Sequence, residues 1–270
     1  MKKRDIIEGM TIEIPERTRC SSISLLCRYP LMIASEGVAA IAGLVSTALC
    51  GWGERFPSPR PQGVAVLWLH GSGFNQSEFG GVLLDQIFDD RLGPFYTMNY
   101  AGLLSGEKGA TIQDYAKKVE VKAQAIFQET GVRRVILVGH SLGGLIAAEV
   151  AERLLPREEV VKVITICSPF GGVPILDSCC ETTPTDTQMK VGSPYLLELT
   201  SRIRDRELRR EGVSYHHITS RLDLIVPPER AGAVRDKTKW CIFDGIEGHW
   251  GIIASPRVIR EVKSRILSFT

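Results

Sequence analysis

One run of the chain, ILVGHSLGGL at residues 136–145, holds a serine between two glycines at a spacing that suits covalent chemistry. An apolar stretch ends at Val138 and a helical pattern begins just after Ser141, so Gly139 and Gly143 flank the point where a strand turns sharply into a helix. Side chains at either position would collide with the neighbouring strand or helix. An elbow of this kind lifts the hydroxyl above the sheet edge, over the N–H groups and positive dipole end of the helix. Without partners, Ser141 is only a small residue in a tight turn.

A serine hydroxyl is a weak nucleophile at neutral pH and needs a base, normally a histidine held in one tautomer by a carboxylate. The chain has five histidines. His70 ends an apolar run, His140 points away along the elbow, and His216 and His217 share a strand in which one packs and the other faces outward. His249, in the glycine-rich DGIEGHWGII, falls between the last strand pattern and the last helix pattern and is the best placed base. For the carboxylate, Asp223 in SRLDLIVPP follows a strand directly and would reach the same cleft edge. Asp244 competes, nearer in sequence but on a turn that would have to fold back.

Acyl chemistry also needs donors for a developing oxyanion. HGSGF at 70–74 is a glycine-rich loop after the strand pattern VAVLWL, and it makes the backbone N–H groups of Ser72 and Leu142 the expected pair, with His70 orienting the loop.

The elements that must carry these residues alternate. Short apolar runs at 64–69, 95–100, 133–139, 161–166, 213–218 and 239–243 fit strands buried on both faces. Helical patterns occupy 111–131, opening on Thr111 and closing on Gly131, then 142–155 and 256–268. This alternation predicts an α/β fold with a mostly parallel central sheet and helices on both faces. Residues 169–212 interrupt it and form the candidate lid over a site at the strand C-termini.

Thirty-three Lys and Arg against 31 Asp and Glu give a net charge of +2, so nothing in the charge balance calls for a nucleic-acid partner. Seven cysteines without regular spacing do not form a disulfide framework and favour a reducing, cytoplasmic compartment. No CxxC or HExxH spacing signals a metal. Residues 31–50 are apolar and about long enough to span a bilayer, but Glu36 would cost about 2.5–3.5 kcal/mol near its centre. The segment is read as a helix packed on the main domain, with membrane association as the alternative. The proline-rich RFPSPRPQG at 55–63 separates an N-terminal extension, 1–61, from a catalytic domain, 62–270.

Taken together, HGSG at 70–73, TGVRRVILVGHSLGGLIA at 130–147, CSPFGG at 167–172, SRLDLIVPP and EGHWGII resemble the α/β-hydrolase superfamily, and within it the bacterial lipase and esterase branch. The resemblance covers roughly residues 62–268. It implies that Ser141 attacks an ester carbonyl of a small-molecule or lipid substrate, that His249 relays the proton with Asp223 orienting it, and that no cofactor is used. The short lid argues against long-chain triglycerides. Thioester hydrolysis and acyl transfer use the same machinery, and a catalytically silent binding protein is the reading outside the enzyme class.

Overall fold

The computed structural model describes residues 55–56, 63–73, 78, 95–100, 109–156, 158–178, 183–209 and 213–268. The apolar segment 31–50 and the domain start at residue 62 lie outside them.

Among the described residues, seven strands form one sheet: β1 (Arg55–Phe56), β2 (Ala65–Leu69), β3 (Phe95–Met98), β4 (Val135–His140), β5 (Val160–Ile166), β6 (Ser214–Ser220) and β7 (Trp240–Phe243). Their order is β1-β3-β2-β4-β5-β6-β7. β2 to β7 are all parallel, and only the two-residue β1 pairs antiparallel, at the edge beside β3. The chain runs outward from β2 to β3, then crosses back to lay β4 on the other side of β2. The crevice for a ligand is therefore expected at the C-terminal ends of β2 and β4.

The central strands are mostly apolar because both faces are covered, with Lys162, Thr165 and His140 as buried polar exceptions. Side chains alternate across a strand, so Ala65, Leu67, Leu69, Val135, Leu137 and Val163 enter one core, and Val66, Trp68, Ile136, Val138, Ile164 and Ile166 enter the other. Helices α1 (Ile112–Thr130) and α2 (Leu142–Glu149) pack on the first face. The last helix, α5 (Pro256–Leu267), closes the second face with Val258, Ile259, Val262 and Ile266.

Local signals set the helix ends. Thr111 caps α1 through its hydroxyl, Asp114 returns the bond to the Thr111 N–H, and Gly131 closes the helix with φ +74°. Helix α2 is apolar from Leu142 to Ala148 because it is buried on every side, and after Glu149 it runs into a π-helical turn at Val150–Leu154.

Within the 169–212 excursion, a short helix α3 (Pro184–Gln188) precedes α4 (Pro194–Leu208). Helix α4 is anchored by its apolar face: Leu196, Leu199 and Ile203 join the first core. Two buried carboxylates fix its register. Glu149 accepts from the Tyr195 hydroxyl and pairs with Arg153, while Glu152 pairs with Arg206 at 2.6 Å and accepts from the Tyr215 hydroxyl. Among the described residues, no helix is long and apolar enough to cross a membrane.

Candidate active site

Ser141 sits where β4 ends and α2 begins, with φ +51° and ψ −120°. L-residues rarely adopt this backbone, and it costs on the order of 1–3 kcal/mol where the surroundings impose it. Here the surroundings are explicit. The Ser141 N–H donates to the Ile166 carbonyl at 2.8 Å, pinning the elbow to β5. Close packing on both sides of the turn admits only glycine: a Cβ on Gly139 would lie 2.3 Å from the Gly143 carbonyl carbon, and one on Gly143 would lie 2.1 Å from the Leu69 carbonyl oxygen.

The loops after β6 and β7 deliver the other two side chains. His249 Nε2 lies 3.0 Å from Ser141 Oγ, and His249 Nδ1 lies 2.8 Å from Asp223 Oδ2. The carboxylate can only accept, so Nδ1 carries the proton and Nε2 presents its lone pair to the serine hydroxyl. The other carboxylate oxygen, Oδ1, accepts from the N–H groups of Ile225 and Val226 at 2.9 and 2.8 Å. Asp223 and His249 are both buried, which shields their interaction from water. Of the two candidate carboxylates, Asp223 is the one bonded to His249.

Ser72 lies exposed in the turn after β2, and Leu142 opens α2, where a first-turn N–H has no partner within the helix. A Cβ on Gly71 would lie 3.3 Å from Ser141 Cβ, so this loop runs directly against the elbow. His70 is fully buried, stacks on Tyr100 with ring centroids 4.1 Å apart, and bonds the Gly71 carbonyl through Nδ1 at 2.8 Å. Tyr100 donates its hydroxyl to the His70 carbonyl. Burial pushes the His70 pKa down, and the ring holds the loop from beneath.

His140 turns away from the serine hydroxyl, as expected, but its ring is far from idle. Nδ1 meets Glu78 Oε1 at 2.6 Å and Nε2 meets the carbonyl oxygen of His249 at 2.8 Å. Glu78 Oε2 accepts from the Gly71 N–H at 2.7 Å. Glu78 is absent from the sequence reading, and no motif marks it. Its only signal is an acidic residue a few positions after HGSG in a segment otherwise poor in charge.

Cys167, at the end of β5, also holds a positive φ of +51°. Its thiol, an Asp223 oxygen and a His249 ring nitrogen lie within 4.8 Å of one another, the one group of metal-ligand types among the described residues. A metal there would have to displace the proton that joins Asp223 to His249. Burial, reinforced by the Asp223 charge, pushes the Cys167 thiol well above its ordinary pKa, which keeps it protonated and unreactive.

A family model described as the alpha/beta hydrolase family matches residues 66–250, more than half of the chain. The chain belongs to the α/β-hydrolase family. Among solved structures, this α/β hydrolase is similar in fold to the mature lipase BlEst2 of Bacillus licheniformis. The TM-score is 0.56 at 16% identity, covering 80% of this chain and 96% of that one. It is similar also to a monoacylglycerol lipase from Paleococcus ferrophilus, with TM-score 0.54, 16% identity, and 80% and 98% of the two chains covered. A curated relative, "Putative esterase/lipase 2" of Mycoplasma genitalium, is 28% identical over 116 residues, which is 42% of this chain. The match spans only 40% of that relative's length.

Proposed function

We propose that the protein is a serine hydrolase of carboxylic esters, working through an acyl-enzyme on Ser141. The observation that carries the reading is the unbroken chain from Ser141 Oγ through both nitrogens of His249 to Asp223, at 3.0 and 2.8 Å. In the first half-reaction Ser141 Oγ bonds to the ester carbonyl carbon while His249 Nε2 takes the hydroxyl proton. The resulting imidazolium is stabilised by Asp223 and then gives that proton to the departing alkoxide, so an alcohol leaves and the acyl group stays on Ser141. Water repeats the sequence in reverse roles and releases the acid. The N–H groups of Ser72 and Leu142 are the proposed oxyanion donors, and each such donor is worth roughly 10²–10³ in rate.

The names of the similar proteins support an ester as the substrate class. Full-length protein should label with a fluorophosphonate probe and hydrolyse p-nitrophenyl acyl esters, and Ser141→Ala should abolish both. Wild-type protein that stays at the level of the Ser141→Ala control with every ester would end this reading.

A further inference from the structure

The ring of His140 is placed between two groups that can only accept. The Glu78 carboxylate faces Nδ1 at 2.6 Å and the His249 carbonyl faces Nε2 at 2.8 Å. A neutral imidazole owns one N–H and cannot serve both. Both side chains are shut off from solvent, so water cannot stand in for a missing donor. The second Glu78 oxygen is occupied by the Gly71 N–H, which suits a carboxylate.

We propose that Glu78 and His140 form a buried ion pair, carboxylate with imidazolium, whose task is to position the two loops that meet at Ser141. Glu78 holds Gly71 and with it the HGSG loop. His140 holds the backbone of His249, and it stands directly before the serine in sequence. One pair thus fixes the oxyanion loop, the elbow and the base loop in a single hydrogen-bonded frame, although those three segments come from separate parts of the chain. The fit is tight, since a Cβ on Gly71 would come 2.9 Å from His140 Nδ1. The titratable groups facing the ring are Glu78, His249 with ring centroids 4.9 Å away, Asp223 and His70. Burial opposes the charge on His140, but the Glu78 charge and hydrogen bond together with the His249 carbonyl outweigh it and raise its pKa. Neither residue touches the reacting atoms, so both act by positioning.

The inference rests on Ser141 being the nucleophile, and its tests separate from that reading. Glu78→Ala removes the frame and should lower kcat and the fluorophosphonate labelling rate by about 10²-fold, the loss expected when reacting groups drift by an ångström, with KM little changed. Glu78→Gln removes the charge but can keep every bond, accepting from the Gly71 N–H and donating to Nδ1 of a neutral His140, so it should restore most of the loss. A folded Glu78→Ala that labels and turns over at the wild-type rate overturns the proposal, as does a Glu78→Gln as impaired as the alanine variant. ¹⁵N NMR of the wild-type protein tests the pair without any variant: both His140 ring nitrogens should be protonated, and one bare nitrogen overturns the ion pair. If wild-type protein neither labels nor hydrolyses any ester, the functional reading falls while the NMR result still judges the pair.

Discussion

Gly143, in the first turn of α2, packs so closely on Leu69, the last residue of β2, that a Cβ there would lie 2.1 Å from the Leu69 carbonyl oxygen. That contact brings the end of β2, and the HGSG loop that follows it, against the elbow. Gly143→Ala should therefore destabilise the fold by about 3 kcal/mol, the upper end of overpacking costs, because backbone cannot yield as a flexible side chain can. Urea unfolding measures this, and a loss below about 1 kcal/mol would contradict the packing.

The strain at Ser141 predicts opposite effects on stability and activity. Ser141→Gly should relieve a backbone held at φ +51° and raise the unfolding free energy by on the order of 1 kcal/mol. The same change should abolish ester turnover, a loss on the order of 10⁶-fold where a serine nucleophile is removed. A glycine variant less stable than wild type would argue against strain at the elbow.

Asp223→Asn keeps the size of the side chain and an oxygen for the Ile225 and Val226 N–H groups, but it no longer fixes the His249 tautomer. Turnover should fall by about 10⁴-fold while the melting temperature moves little. Asp244→Asn serves as the control and should leave turnover intact.

His217 predicts how stability changes with acid. It is fully buried, and its Nε2 lies 3.2 and 3.4 Å from the N–H groups of Ala233 and Val234, so that nitrogen accepts and the ring is neutral. Nδ1 then donates to Thr165 Oγ1 at 2.7 Å. Burial, with the neighbouring charges of His216 and Lys239, pushes its pKa down to about 3. The unfolded chain, with histidine near its ordinary 6.5, binds more protons than the native state between the two values, so stability falls as pH drops below about 6.5. His216, half-buried and pushed down to about 4, adds to the same limb. His140, with a raised pKa, has the opposite sign: its contribution is present below about pH 6.5 and lost as pH rises through the folded value. Melting temperatures from pH 7 to 4 should decline, and His217→Gln should flatten the decline.

The thiols of Cys167 and Cys241 should resist alkylation in the native protein. Burial raises both, Cys241 to about 11. Iodoacetamide at pH 7.5 should leave these two unmodified, as read by mass spectrometry after digestion, and should modify them once the protein is unfolded.

Much of the fold was legible in the order of residues. The six runs became the six parallel strands because strands covered on both faces read as near-continuous apolar runs, and that pattern is local, even where β6 carries the buried polar side chains of His217, Thr219 and Ser220. Thr111 and Gly131 marked α1 to the residue for the same reason: capping chemistry acts within one turn. The crossing from β3 back to β4 and the anchoring of α4 in the core were not legible. Both depend on which apolar faces meet across the sheet rather than on any local pattern.

The site divides along the same line. By itself the sequence determined the elbow, since GxSxG between a strand pattern and a helix pattern is a steric statement about neighbouring residues. It also supplied Asp223 and His249 as candidates from their places in the strand order. Only the tertiary structure decided that Asp223, not Asp244, bonds His249. It alone brought Glu78 and His140 together, 62 positions apart in the chain. Hydrogen bonds across that separation depend on the path of the backbone through the sheet, and distances of 2.6 to 3.0 Å are fixed only when all the packing that sets that path is in place.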